Sequence, residues 1–83
     1  MDKYKVAIVD DDEVALENLS FELGKDARFF LKGTARNGKQ GKKLIAKVQP
    51  DLLFLDVELP DMTGMELLQE IRDSVSWNMR IVF

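Results

Sequence analysis

The sequence predicts an α/β domain built on a doubly wound parallel sheet, with its elements in the order β-α-β-α-β-α-β. Two observations carry this prediction. Short apolar runs of strand type alternate along the 83 residues with longer stretches in which apolar residues recur at helical spacing. The run Leu52–Leu55 is apolar throughout, which suits a strand that is buried on both faces of a parallel sheet.

The first strand and helix are separated by a run of acids. Residues 5–9 form a short strand-type run, and the segment Asp10-Asp11-Asp12-Glu13 follows it directly. Asp12 and Glu13 suit the positive end of a helix, but three consecutive aspartates are more than a cap requires. We expect Gly24 to end that helix as a C′ glycine. Its apolar stripe consists of Ala15, Leu16, Leu19 and Leu23.

The second strand and helix are predicted over residues 29–35 and 38–48. Lys32 and Gly33 interrupt the strand, so we place it at an edge of the sheet. Asn37 followed by Gln40 resembles a capping box at the start of the helix. Pro50 closes the helix, because proline cannot continue it.

Asp56 comes directly after the central strand, at the end where open α/β sheets place their ligands. Pro60 forces a turn, and Thr63 with Glu66 can form a capping box for a third helix from Gly64 to about Val75. A fourth strand begins at Arg80 and runs to Phe83. The predicted stripe of the third helix has Leu67 beside it and consists of Met65, Leu68, Ile71 or Arg72, and Val75.

Composition is that of a single folded domain. Hydrophobic residues make up 46% of the chain and charged residues 33%, and there is no cysteine for a disulfide or a thiolate metal site. The first residues lack a long apolar segment, so we expect neither a signal peptide nor a transmembrane span, and a cytoplasmic location. Basic residues dominate from Lys25 to Lys47 and acidic residues dominate from Asp51 onward.

Two basic patterns are weaker candidates for function. The segment from Gly33 to Lys39 approaches a phosphate-binding loop, but Gln40 stands where a magnesium-binding hydroxyl is required. Lysines at four-residue spacing on the second helix could attract nucleic acid, yet no aromatic residue interleaves them. We interpret that stripe as a solvated helix face; it consists of Lys39, Lys43 and Lys47.

The acids after the first and third strands are expected to meet. If those strands are neighbours, Asp10 and Asp11 lie beside Asp56 at one edge of the sheet. Three carboxylates packed together repel each other unless a cation joins them, and oxygen ligands with waters suit Mg²⁺. A carboxylate beside Mg²⁺ can also attack a phosphoryl group in line.

These residues resemble the receiver domain of two-component response regulators, which has a flavodoxin-like fold. The matching pieces are Val-Asp-Asp after the first strand, Asp-Leu-Leu-Phe-Leu-Asp56 on the third, and Leu-Pro-Asp-Met-Thr-Gly64 after it. The resemblance implies that Asp56 is the phosphoacceptor for a histidine kinase. It also implies that Asp11 binds Mg²⁺ directly, that Asp10 acts mainly through water, and that Glu58 contributes its backbone carbonyl.

The resemblance also implies parts that this chain does not contain. The family carries a Ser/Thr after strand four and a lysine after strand five, and both would fall beyond Phe83. We therefore expect residues 1–83 to be one receiver domain, incomplete in strand four and lacking the last strand and the last two helices. Any output, of which DNA binding is the commonest in the family, would belong to a further domain.

Three classes of function remain open at this point. The first is a phosphoacceptor module that is not a turnover enzyme. The second is a magnesium-dependent aspartyl phosphohydrolase, a class that requires a second aspartate two residues after the nucleophile, where this chain has Glu58. The third is a pseudo-receiver that binds partners without phosphorylation, disfavoured because the three acids are intact.

Self-association is the last expectation from the sequence. In the flavodoxin-like order 2-1-3-4-5, the absence of strand five leaves strand four as an edge, where Ile81, Val82 and Phe83 offer unpaired backbone and apolar side chains. Val14 and Phe21 on the first helix are expected to be exposed as well. Because such apolar surface needs a partner, we expect a symmetric homodimer that forms through the edge of strand four, by strand pairing or by exchange of the terminal elements between chains.

Overall fold

The computed structural model describes residues 3–83. Its helices are α1 (Glu13–Gly24), α2 (Gly38–Val48) and α3 (Gly64–Ile71), and its strands are β1 (Tyr4–Val9), β2 (Phe29–Ala35), β3 (Leu52–Leu55) and β4 (Arg80–Val82). All neighbouring strands pair in parallel, in the order β2-β1-β3-β4. The predicted doubly wound α/β fold is confirmed; Met1 and Asp2 of the predicted domain lie outside the described residues.

The core has one layer on each face of the sheet. Alternation along β1 directs Val6 and Ile8 to one face and Ala7 and Val9 to the other. The first pair packs against Leu16 and Leu23 of α1. The second pair packs against buried residues of β2, α2, β3 and α3, together with a loop residue: Ala35, Ile45, Leu53, Leu55, Leu59, Leu67 and Ile71.

The register of the sheet decides where the acids meet. Val9 of β1 pairs with Leu55 of β3, so the two strands end level with each other. The hydrogen-bond ladder continues one step further, since the Asp10 N–H donates to Ala35 O and the Asp56 N–H donates to Val9 O, both at 2.9 Å. The residues that follow β1 and β3 are therefore held at the same edge.

Helix α3 is shorter than predicted. It ends at Ile71 and not near Val75, although the Val75 N–H still donates to Ile71 O at 3.1 Å. Asp73, Ser74 and β-branched Val75 favour helices weakly. The indole N–H of Trp77 also donates to Pro50 O at 2.8 Å, which draws the chain toward the start of β3.

The buried stripe of α3 also differs from the prediction. Leu67 is fully buried and Ile71 nearly so, and both contribute to the core. Met65, which was assigned to the stripe, leaves 55% of its surface exposed. The stripe is therefore centred on Leu67 and Ile71, with Leu68 at its margin.

The helix ends agree with the sequence at some positions only. Asp12 caps α1, and Thr63 with Glu66 forms the predicted capping box of α3. Gly24 lies inside α1 and no glycine in residues 3–83 has a positive φ, so the prediction of a C′ glycine is wrong. Asn37 caps α2 by accepting from the Gln40 N–H at 2.8 Å, but Gln40 Oε1 accepts from the Arg36 N–H, so the second capping box is half formed.

Apolar side chains are exposed where the sequence analysis expected them. Val14 and Phe21 on α1 leave 63% and 66% of their surfaces exposed. Along β4 and beyond it, Ile81, Val82 and Phe83 are 37%, 42% and 57% exposed. In the part of the chain described, no helix has the length and apolarity to span a bilayer.

Candidate functional site

Three aspartates converge at the carboxyl ends of β1 and β3. One carboxylate oxygen from each of Asp10, Asp11 and Asp56 lies within 4.8 Å of the other two. Asp10 and Asp56 are half-buried, whereas Asp11 is exposed. The structure thus brings together the three side chains that the sequence analysis selected.

Like charge and burial act together on Asp10. Burial raises the pKa of the Asp10 carboxyl above its ordinary value, and the negative charge of Asp56 raises the pKa further. The Asp12 N–H donates to Asp10 Oδ1 at 2.9 Å, which lowers the pKa and partly offsets the rise. The ionised cluster is therefore under electrostatic strain, which a cation would relieve.

The donor set fits Mg²⁺. Its ligand atoms are all carboxylate oxygens, which a small hard cation prefers, and the exposed side of Asp11 leaves space for waters. Within residues 3–83, ion pairs join Lys25 with Glu22, Arg28 with Asp26, and Lys42 with Glu70. None of these three ion pairs involves Asp10, Asp11 or Asp56.

The loop between β3 and α3 is closed on itself. Glu58 and Thr63 form an isolated antiparallel bridge, and the Gly64 N–H donates to Val57 O at 2.7 Å. Leu59 is buried under this loop, and its N–H donates to Met62 O at 2.9 Å. These bonds fix the backbone that follows Asp56, including Glu58, whose carbonyl stays a predicted ligand.

Gly64 allows α3 to begin directly against Asp56. A Cβ atom at this position would lie well inside van der Waals contact with the backbone oxygen of Asp56. It would also meet Leu55 and Phe83, each at 3.2 Å. Any residue other than glycine must displace Asp56 or the first turn of α3.

Two side chains that sequence reasoning missed connect the loops around the site. Asp61 accepts hydrogen bonds from the Gly38 N–H at 2.7 Å and the Lys39 N–H at 3.0 Å. These bonds, led by that of Gly38, hold the pKa of Asp61 below its ordinary value. Arg36 Nη2 donates to Asp11 O at 2.9 Å. The one signal in the sequence is that the first turn of α2 carries no acid of its own to complement its positive end.

Comparisons with known proteins agree on one family. A family model described as the response regulator receiver domain matches residues 6–83. The chain is 42% identical over 71 residues to a protein-glutamate methylesterase/protein-glutamine glutaminase of Geobacillus kaustophilus, covering 86% of this chain and 20% of that protein. It is 33% identical over 69 residues to the transcriptional regulatory protein YdfI of Bacillus subtilis, covering 83% of this chain and 32% of that protein.

Solved structures show the same likeness. The signal receiver domain of the response regulator NarL from Mycobacterium tuberculosis superposes with a TM-score of 0.88 at 25% identity, covering 98% of this chain and 64% of that one. The response regulator domain of Thermotoga maritima CheB gives a TM-score of 0.85 at 23% identity, covering 95% of this chain and 57% of that one, and shows the shared fold. The match to this chain therefore covers only 20% and 32% of the length of the two curated relatives.

Proposed function

Because the chain belongs to the response regulator receiver domain family of two-component signalling, we propose that Asp56 accepts a phosphoryl group from a histidine kinase. The observation that carries the proposal is the convergence of Asp10, Asp11 and Asp56 within 4.8 Å at the ends of two neighbouring strands. A carboxylate oxygen of Asp56 would attack phosphorus, and the bond from phosphorus to the donor's histidine nitrogen would break. The product is an acyl phosphate on Asp56.

Each acid has a separate role in this proposal. Asp11 is exposed and would bind Mg²⁺ directly, while half-buried Asp10 would act mainly through a water. The Glu58 backbone carbonyl would complete the share of the ligands that the protein provides. When bound, Mg²⁺ neutralises charge on the transferring phosphoryl group. Asp10 and Asp11 therefore serve to hold the cation, and Asp56 both binds it and acts as nucleophile.

The family limits what the module does with the phosphoryl group. Receiver domains are generally not turnover enzymes, and the methylesterase relative matches over only 20% of its length. We propose that the phosphorylated state changes a downstream output, with any DNA binding residing in a domain outside residues 1–83. Two statements stay predictions: that residues 1–83 form a receiver domain without its last strand and last two helices, and that the protein is cytoplasmic.

Incubation with acetyl phosphate and Mg²⁺ separates this proposal from the two other classes. A receiver takes up label until about one phosphoryl group is bound per chain. A phosphohydrolase would release phosphate continuously, and a pseudo-receiver would take up none. Either of the last two results, obtained with the protein at its natural length, would contradict the proposed function.

Mg²⁺ should stabilise the fold. The unfolded chain cannot present the three aspartates together, so the cation binds the folded state selectively. At ten times the dissociation constant, mass action adds about 1.4 kcal/mol, or a rise of about 5–10 °C in the melting temperature of a domain of this size. Thermal melts followed by circular dichroism over a Mg²⁺ series measure this rise.

Two variants make the Mg²⁺ result specific. Asp11→Ala removes the exposed ligand and should abolish the rise in melting temperature. Asp73→Ala removes an exposed carboxylate from the turn after α3 and should leave the rise unchanged. Equal responses of all three proteins would mean that Mg²⁺ acts on general charge and that the cluster is not its site.

We also propose a homodimer that forms through the edge strand β4. The apolar side chains of Ile81, Val82 and Phe83 are all at least 37% exposed, and β4 pairs with β3 on one side only in the described sheet. An exposed apolar edge favours pairing with a second chain. Val14 and Phe21 of α1 are also exposed.

Val82→Lys should convert this dimer to a monomer. A lysine on the edge strand adds a charge that a strand-paired dimer would have to bury or place beside its copy. Sedimentation velocity at micromolar concentration should show a dimer for the unmodified chain and a monomer for Val82→Lys. The matched substitution Lys47→Gln on α2 should leave the dimer intact. A monomer in the absence of any substitution would overturn the proposal.

A further inference from the structure

The junction between β2 and α2, residues 36–39, contacts both loops that carry the acidic cluster. On one side, the guanidinium of Arg36 reaches the loop after β1 and donates to Asp11 O at 2.9 Å. The Arg36 backbone is in turn held by α2, since its N–H donates to Gln40 Oε1 at 3.4 Å. The backbone of one predicted Mg²⁺ ligand is thus tied to the start of α2.

On its other side, the junction holds the loop after β3. Asp61 accepts from two successive backbone N–H groups, those of Gly38 at 2.7 Å and Lys39 at 3.0 Å. The carboxylate also lies at the positive end of α2, which favours its negative charge. The backbone of Gly38 is packed directly on the side chain of Met62, with no space for a Cβ atom between them.

We propose that this junction is a positioning element that ties the β1–α1 loop to the β3–α3 loop, with Arg36 and Asp61 as the positioning residues for the metal centre. The inference rests on the proposed function for the identity of the cation. It adds that two residues outside the ligand set determine how well the ligands converge.

The need for such an element follows from the charge of the site. Asp10 and Asp11 sit on one loop and Asp56 at the start of the other, and their carboxylates repel. Without a cation, repulsion favours separation of the two loops. The junction opposes that separation with hydrogen bonds that involve charged groups, which are stronger than neutral ones. The loops therefore stay near the geometry that binds Mg²⁺.

Arg36→Gln separates positioning from charge. Removing a positive charge near three carboxylates should by itself strengthen Mg²⁺ binding. Loss of the bond to Asp11 O should weaken it, by about tenfold if Arg36 behaves like other residues that support metal ligands. Isothermal titration with Mg²⁺ measures the dissociation constant. Lys47→Gln removes the same charge about 14 Å along α2 and is the matched control.

Asp61→Ala tests the other side of the junction. We expect about a tenfold weaker Mg²⁺ affinity, whereas Asp73→Ala should leave the affinity unchanged. Asp61→Asn keeps an acceptor oxygen for the Gly38 N–H and should recover part of the loss. Either single change already unties the two loops. The double variant Arg36→Gln/Asp61→Ala should therefore bind Mg²⁺ little less tightly than the more impaired of the two single variants.

Amide hydrogen exchange without metal provides a readout that does not depend on Mg²⁺. The Asp12 N–H donates to Asp10 within the β1–α1 loop, which is not the loop that carries Asp61. In Asp61→Ala this N–H should exchange severalfold faster than in the unmodified protein. In Asp73→Ala its exchange should not change. A melting curve taken beside each measurement confirms that the variant is folded.

The outcomes distinguish the two proposals. Failure of the unmodified protein to bind Mg²⁺ would overturn the proposed function, while faster Asp12 exchange in Asp61→Ala would still support the junction. Mg²⁺ binding by Arg36→Gln at or above the original affinity, with unchanged Asp12 exchange in Asp61→Ala, would overturn the junction alone. Losses that multiply in the double variant would show two independent loop anchors and would also overturn it.

Discussion

Asp56→Asn is expected to abolish phosphoryl labelling by acetyl phosphate and by the cognate histidine kinase. The amide has no anionic oxygen to attack phosphorus, so the loss should be complete. The test uses the protein as its own cells produce it. Incorporation is measured with labelled donor and by intact mass.

The same substitution should leave the fold intact. Asp56 is anchored through its backbone, whose N–H donates to Val9 O at 2.9 Å, and this bond does not depend on the side chain. Its negative charge also raises the pKa of Asp10, so removing that charge relieves repulsion in the cluster. We expect a metal-free melting temperature equal to or above that of the unmodified protein, which rules out unfolding as the cause of lost labelling.

Asp61 is the informative alternative acceptor, because it lies on the same loop. Its carboxylate is engaged by the Gly38 and Lys39 N–H groups, which supports assigning the chemistry to Asp56. Asp73, which is exposed in the turn after α3, provides the control, and Asp73→Asn should label normally. Fragmentation of the labelled peptide that places the phosphoryl group on Asp61 would show that the assignment is wrong.

Gly64→Ala is expected to have the largest effect on stability of any single methyl addition near the site. The new Cβ would overlap the Asp56 backbone oxygen, and backbone can move aside only by displacing β3 or α3. Overpacking of this kind costs about 3 kcal/mol, against which alanine returns up to about 1 kcal/mol of helix propensity. The net loss of about 2 kcal/mol corresponds to a fall of roughly 10 °C in melting temperature.

Gly24→Ala is the matched control for this result. Gly24 also lies in a helix, yet nothing stands within 4 Å of the position its Cβ would occupy. Alanine there should leave stability unchanged or raise it by up to about 1 kcal/mol. Thermal melts of the two variants are compared directly. If Gly64→Ala melts no lower than Gly24→Ala, the close approach of α3 to Asp56 does not constrain the site.

Much of the fold could be predicted because its signals are local. The apolar run Leu52–Leu55 indicates the central strand, although Leu52 and Phe54 on one face are only half-buried. The acids after β1 and β3 meet because those strands are parallel neighbours that end at the same edge. Thr63 and Glu66 predicted their capping box from a spacing of three residues. Each of these inferences depends on residues that are close in sequence or on a general rule of sheet topology.

What could not be predicted depends on contacts between distant residues. Asp61 accepts hydrogen bonds from the first two residues of α2, which lie 23 and 22 residues away in the sequence, and Arg36 donates to Asp11 across 25 residues. No local spacing in the sequence predicts these hydrogen bonds. The early end of α3 has the same origin, since the bond from Trp77 to Pro50 spans 27 residues. Gly24 was misassigned because glycine at a helix end indicates a left-handed cap only where the backbone turns, and here Lys25 continues in the right-handed region.

The bond between Trp77 and Pro50 also gives the domain an intrinsic fluorophore in a useful place. Trp77 is the single tryptophan of the chain, is partly buried against the core, and donates its indole N–H to a carbonyl at the start of β3. The acidic cluster lies at the opposite end of that strand, about 20 Å away at the rise of an extended chain. The fluorescence emission of Trp77 therefore reports the integrity of the α3–β4 connection, with little direct quenching by ions or phosphodonors bound at the carboxylates.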